Sequence, residues 1–260
     1  MDRPLRLYFL LAFGITWGFG GLALLTGNIR SGGVHQLHPL HYLAAFGPSI
    51  AGFIMAATTE GWAGVRNILA RLVPRWANVP WYAAVLVGFP AASFAAAWFL
   101  DPNSLSKLLS WDRLICLVPI TLVLDTGPLG EEFGWRGFAL PRLLRRWPPL
   151  IAALILGAIW WAWHLPTFFI HALSQSRLSI PLYVVNILAL SILMTGLYIR
   201  TRGDLLLMIL VHVMANWCPV PFSAEVTAEV ALAALILGCG CLRPNPHACA
   251  GSCADEPRSD

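Results

Sequence analysis

Long apolar runs separated by short, arginine-bearing connections recur along the whole chain. About 20 apolar residues at 1.5 Å per residue cross the ~30 Å hydrocarbon core of a bilayer. On that measure the pattern predicts eight membrane-spanning helices: Leu5 to Leu25, Tyr42 to Ala57, Trp81 to Leu100, Leu114 to Pro128, Leu150 to Ile170, Pro181 to Ile199, Leu205 to Trp217 and Val226 to Leu242. The second, fourth and seventh are short enough to be tilted or partly re-entrant. The first has a basic flank in Arg3 and Arg6. It is nevertheless long for a secretory signal and has no small-residue cleavage site before Asn28, so it reads as a retained helix.

The segment Gly61 to Trp76 breaks this pattern. It sets Val65, Ile68, Leu69 and Leu72 on one face and places Arg66, Arg71 and Arg75 elsewhere. Such a segment is expected to lie as an amphipathic helix in the membrane interface. Trp17, Trp62, Trp76, Trp81, Trp111 and Trp147 sit near predicted span ends, as in an aromatic belt. No internal repeat is evident, and no polar connection is long enough for a separate soluble domain. Residues 1–242 are therefore expected to form one transmembrane domain.

Charge orients it. With the N-terminus inside, Arg3, Arg6, Arg66, Arg71, Arg75, Arg136, Arg142, Arg145, Arg146, Arg200, Arg202, Arg243 and Arg258 fall on the cytoplasmic side, and only Arg30, Lys107, Arg113 and Arg177 fall outside. That asymmetry predicts an even number of spans and cytoplasmic termini. The fold class is thus an all-α, polytopic transmembrane helix bundle.

Composition agrees. The 260 residues are 58% hydrophobic and 12% charged, with a mean hydropathy of +0.68, whereas a soluble domain carries about 25% charged residues. The net charge of +4 does not signal nucleic acid. Its arginines lie in short connections between apolar spans, where orientation and lipid headgroups account for them. Cys116 and Cys218 lie in or beside spans, and Cys239, Cys241, Cys249 and Cys253 crowd the C-terminal end without a common zinc spacing. All six read as structural. Residues 243–260, rich in Pro, Ala, Ser and charge, read as a disordered cytoplasmic tail.

Ionisable groups at membrane depth cost roughly 2.5 to 3.5 kcal/mol each on insertion, so those retained are functional candidates. They gather in three segments. In Gly130-Glu131-Glu132-Phe133-Gly134-Trp135-Arg136-Gly137, Glu132 and Arg136 stand at i and i+4 and can pair, leaving Glu131 to accept a proton from water. A charged helix start, with acids at the positive end of the dipole, is the plainer account. His164 sits in Trp160-Trp161-Ala162-Trp163-His164-Leu165-Pro166, ahead of a helix-breaking proline; a packed core histidine is the alternative. His212 and Asn216, four apart, project from one face of an apolar helix, where gluing helices together is the competing role.

Together these groups describe hydrolysis without a covalent nucleophile. Glu131 would deprotonate water, His164 would orient it, and His212 with Asn216 would donate to the oxyanion. Glu131, His164 and His212 could equally be a two-histidine, one-carboxylate set for a divalent metal such as zinc, with an open position for water.

The order Glu-Glu-x-x-x-Arg, aromatic-x-x-x-His, His-x-x-x-Asn resembles the CPBP family of intramembrane proteases, which includes the type II Cys-a-a-X prenyl endopeptidases and bacteriocin-processing relatives. The likeness covers about residues 110–220. It implies that Glu131 activates water beside His164, that Glu132 and Arg136 are their partner pair, and that His212 and Asn216 hold the oxyanion. The second motif usually begins with phenylalanine; Trp160 stands there instead, as an aromatic wall of different volume touching substrate. By resemblance the protein is expected in a bacterial cytoplasmic membrane, cutting a membrane-associated peptide or protein. Its members differ on metal dependence and include immunity proteins, so a catalytically silent scaffold is the rival reading. Two weaker sites remain. His35, His38 and His41 recur at steps of three without an acidic or thiol partner and read as an interfacial loop, and Asp125 reads as a cavity-lining group outside the catalytic set.

Overall fold

The computed structural model describes residues 1–26, 39–100, 126–171 and 173–217. Within them the chain is helical, with no strand. Helix α1 spans Arg3–Leu25, α2 Pro39–Ala45, α3 Gly47–Ala70, α4 Val79–Leu100 and α5 Thr126–Gly134. A π turn, Trp135–Ala139, joins α5 to α6, Leu140–Leu144. Then come α7 Pro149–His164, α8 Ile180–Arg200 and α9 Leu205–Trp217. Three stretches, Arg3–Leu25, Pro149–Phe169 and Ile180–Arg200, are long and apolar enough to cross a membrane, and Leu205–Asn216 is a shorter apolar helix.

The predicted spans map onto this unevenly. The eighth span, most of the fourth, the tail, Asp125, His35, His38 and the six cysteines lie outside the described residues. The second predicted span is divided: Tyr42 to Ala45 belong to α2, and from Gly47 the rest runs into the expected interfacial segment as α3, which bends at Gly61, where φ is 64°. Only glycine tolerates that conformation without strain. Beyond the bend the predicted apolar face is partly realised: Ile68 is buried in the core with Val65 and Leu72 packed against it, but Leu69 is exposed. Arg136, expected on the loop side of its segment, is instead wholly buried.

Small residues set how closely the helices approach, because in lipid packing rather than hydrophobicity brings helices together. Gly130 and Gly134 of α5 face the α2–α3 junction. A methyl group on Gly134 would stand 2.1 Å from the Pro48 carbonyl oxygen, and one on Gly130 would stand 2.5 Å from that of Ala45. The Ser49 hydroxyl donates to the Leu129 carbonyl across the same crossing, at 2.9 Å. On the other flank, Gly157 of α7 lies against Ser191 and Leu188 of α8, and Ser191 donates to the Ala153 carbonyl at 2.8 Å. Helix α9 packs against α4 and α5.

The start of α9 is fixed by a polar knot. Asp204, 3% exposed, accepts the Leu207 N–H at 3.1 Å, the Asn78 amide at 2.7 Å and the Tyr82 hydroxyl at 2.8 Å. An N-cap aspartate satisfies an otherwise orphaned backbone donor. Two side chains ahead of and within α4 thereby set where the His212 helix begins.

Candidate active site

The π turn places the buried acid–base pair. A π turn widens the helix by one residue and is found most often at functional sites. Here its Gly137 carbonyl accepts from Arg71 Nη2 at 2.9 Å, which ties α5 to the end of α3. From the same turn, Arg136 Nη1 donates to Glu132 Oε1, one turn earlier, at 2.7 Å, both side chains 0% exposed. The predicted i, i+4 pair is therefore present.

Glu132 does more than hold the arginine. The same Oε1 lies 2.8 Å from His212 Nδ1. A carboxylate only accepts, so Nδ1 carries the hydrogen and Nε2 is the nitrogen left for chemistry. His164 is fixed in the same way, with Nδ1 2.9 Å from the Trp160 carbonyl oxygen, which again assigns the hydrogen to Nδ1 and leaves Nε2 bare in the neutral ring. Aromatic edges pack both imidazoles: Trp160 meets His212 at 5.2 Å and Trp163 meets His164 at 4.6 Å, both close to perpendicular.

Trp160 occupies the centre of this arrangement. Its indole N–H donates to Glu131 Oε2 at 2.5 Å, and its ring carries the Arg136 guanidinium 4.3 Å from its centroid. It is fully buried, although it lines the cavity wall. Sequence reasoning placed an aromatic wall here; the hydrogen bond to Glu131 had no sequence signal, because indole direction depends on how α7 is rotated.

Glu131, His164, His212 and Asn216 all border one cavity of about 530 Å³. Glu131, His164 and His212 are only 4–8% exposed, while Asn216, one turn beyond His212, is exposed. The opposite wall is made by Thr16, Gly20 and Gly21 of α1 with Ala44 and Ala45 of α2, and Trp17 Nε1 donates to the Trp163 carbonyl at 3.1 Å to hold α1 against the end of α7. As Pro166 suggests, α7 ends at His164 and passes into a 3-10 turn, Leu165–Phe169. Tyr183 and Asn186 of α8 also border the cavity, and sequence reasoning had not singled them out.

The metal alternative requires three ligands around one point. Among the described residues no group of three or more His, Cys, Asp or Glu is disposed to hold a metal ion. One oxygen of Glu131 is also already engaged by the indole. As arranged, these side chains do not fit an ion.

Residues 111–218 match the model of the Rce1-like type II CAAX prenyl endopeptidases. Over that segment the chain resembles the CPBP family of membrane proteases. The matched segment contains Glu131, Glu132, Arg136, Trp160, His164, His212 and Asn216. The chain is also similar to a CAAX prenyl protease 2 of Methanococcus maripaludis, 26% identical over 225 residues, covering 81% of this chain and 82% of that protein. The three described stretches long and apolar enough to cross a membrane suit such a likeness.

Proposed function

We propose that the protein is an intramembrane endopeptidase that hydrolyses a peptide bond of a membrane-associated protein or peptide, with Glu131 as general base toward water. The observation that carries this reading is the convergence of Glu131 and two imidazoles, each with Nδ1 already committed, on one largely apolar cavity. Glu131 Oε2 is held by Trp160, and Oε1 is left to take the proton of an attacking water. Neutral His164 presents an acceptor at Nε2, so it orients that water and does not donate. As the carbonyl oxygen becomes an oxyanion, Asn216 donates from its amide without a change of charge. His212 donates from Nε2 only as an imidazolium, a form that the Glu132 carboxylate beside it would balance. Collapse of the tetrahedral intermediate returns the proton from Glu131 to the leaving nitrogen.

The name of the archaeal relative makes a C-terminal Cys-a-a-X peptide, prenylated and unmodified, the first substrate to offer. The small-residue wall of α1 and α2 leaves space along the cavity for an extended chain. The test compares purified wild type with Glu131→Ala on a membrane-presented peptide library that includes those peptides, with and without a chelator. Cleavage by wild type, lost in the variant and indifferent to chelation, is the expected result. Loss on chelation would replace the water-activation step with a metal, and absence of any Glu131-dependent cleavage would leave a silent scaffold as the better reading.

A further inference from the structure

A second cavity lies away from the first, where the latter half of α3 faces the π turn and α6. It has a volume of about 260 Å³ and is bordered by Glu60, Asn67, Arg71, Arg142 and Arg145. We propose that it binds the phosphate of an anionic phospholipid headgroup.

Three guanidinium groups and one carboxylate border the cavity, leaving two positive charges in excess. Arg71 is held rigidly by neutral partners: the Asn67 carbonyl at 3.2 Å, the Gly137 carbonyl at 2.9 Å and the Tyr198 hydroxyl at 2.8 Å. Its charge is fixed in place, and it forms no ion pair with a described residue. Arg142 bonds Glu60 and the Phe138 carbonyl and lies over the Phe138 ring. Arg145 is exposed at the rim and forms no ion pair with a described residue. Arginine's planar donors match phosphate oxygens, and a guanidinium already immobilised loses little entropy when it binds.

Position identifies the source of the phosphate. Trp62, Trp76 and Trp147, on or just after α3 and α6, are 72%, 92% and 43% exposed, as expected of indoles at headgroup level. Arg66 and Arg146 are also exposed there. A basic pocket between helices at that depth meets lipid phosphates at far higher local concentration than any soluble anion.

The experiment is native mass spectrometry of the full chain in a neutral detergent, titrated with phosphatidylglycerol or phosphatidylcholine. Wild type is expected to retain phosphatidylglycerol over phosphatidylcholine. Arg145→Gln, at an exposed position that leaves folding intact, should weaken retention about five-fold, the usual effect of one basic residue at an anionic surface. Glu60→Gln should strengthen it, and Arg66→Gln, outside the cavity, should change nothing. Equal loss in Arg66→Gln and Arg145→Gln would overturn the proposal in favour of diffuse surface attraction. So would equal retention of both lipids, or weaker binding in Glu60→Gln. Displacement of the lipid by millimolar inorganic phosphate would make the ligand a soluble phosphate and also refute it. None of these readouts depends on proteolysis.

Discussion

Removing Arg136 tests whether the buried pair holds the site together. Arg136 and Glu132 are both 0% exposed, and breaking a buried pair by deleting one partner costs roughly 3 to 5 kcal/mol, because the other charge stays behind without compensation. Three features of this pair refine that figure. The contact is a single Nη1–Oε1 bond rather than a fork, and Arg136 Nε and Nη2 and Glu132 Oε2 have no partner among the described residues. Glu132 keeps His212 when the arginine goes. Arg136, by contrast, keeps no hydrogen bond to a described residue when the glutamate goes, only the Trp160 face and the nearby Glu131 charge, and a desolvated cation–π contact contributes about 2 kcal/mol. Arg136→Met should therefore fall near the lower end of the range and Glu132→Gln near the upper. The double variant Glu132→Gln/Arg136→Met removes both charges, keeps similar volume and retains a hydrogen-bond acceptor for His212, so it should be more stable than either single variant. At roughly 2 to 4 °C per kcal/mol for a chain of about this size, the singles should melt about 6 to 20 °C below wild type in detergent. The reasoning is refuted if Arg136→Met melts with wild type, or if the double variant is as unstable as the sum of the singles.

Trp160→Phe keeps an aromatic ring but removes the donor to Glu131; a hydrogen bond to a charged group contributes about 1.5 to 3 kcal/mol. Steady-state kinetics on a cleaved peptide should show kcat lowered roughly ten- to a hundred-fold with KM little changed, and a change confined to KM would return Trp160 to a substrate wall. Gly134→Ala forces a methyl group against the Pro48 carbonyl; such overpacking costs about 1 to 3 kcal/mol or more, so folded yield should fall sharply, while Gly21→Ala, with nothing within 4 Å, should leave stability unchanged. Asp204→Ala removes the cap of α9, worth about 0.5 to 2 kcal/mol, and leaves the buried Asn78 with a lost partner, so it should lower the melting temperature from a position remote from the cavity.

The three motif segments were legible in the sequence because each is short and local: an i, i+4 ion pair, a histidine ahead of a proline, and an i, i+4 histidine–asparagine pair all follow from one helix's geometry. Their mutual arrangement was not legible. That Glu132 serves both Arg136 and His212 depends on α5 and α9 meeting at one depth, and hydropathy fixes neither the rotation nor the depth of a helix. Arg136 was expected on a loop side because the positive-inside rule counts charges without knowing which are paired. The joining of the second span to the interfacial segment turned on Gly61, where a glycine that reads as a break allows a bend. Asp204 reads as an ordinary acid in a short connection, and its role as a cap appears only once Asn78 and Tyr82 arrive from another element.

The same geometry changes which residues bear on whether the protein turns over. Glu132, Arg136 and His212 form one buried, mutually bonded set, so a silent scaffold with this fold would need them for stability as much as an enzyme would. Their presence does not separate the two readings. His164 and Asn216 differ. His164 has its Nδ1–H bond to the Trp160 carbonyl, and its Nε2 bonds no described residue. Asn216 is exposed on the cavity side of α9. Glu131 stands between, with one oxygen engaged by the indole and the other without a hydrogen bond to a described residue. A chain selected only for packing would gain by replacing these polar atoms with apolar ones, since an ionisable group at membrane depth is costly and a bare imidazole nitrogen offsets none of that cost. Glu131, His164 and Asn216, rather than the ion pair, are therefore the residues that argue for hydrolysis. A Glu131→Leu/His164→Leu variant that inserts and melts like wild type or above it, while losing cleavage, would establish that they serve the reaction and not the fold.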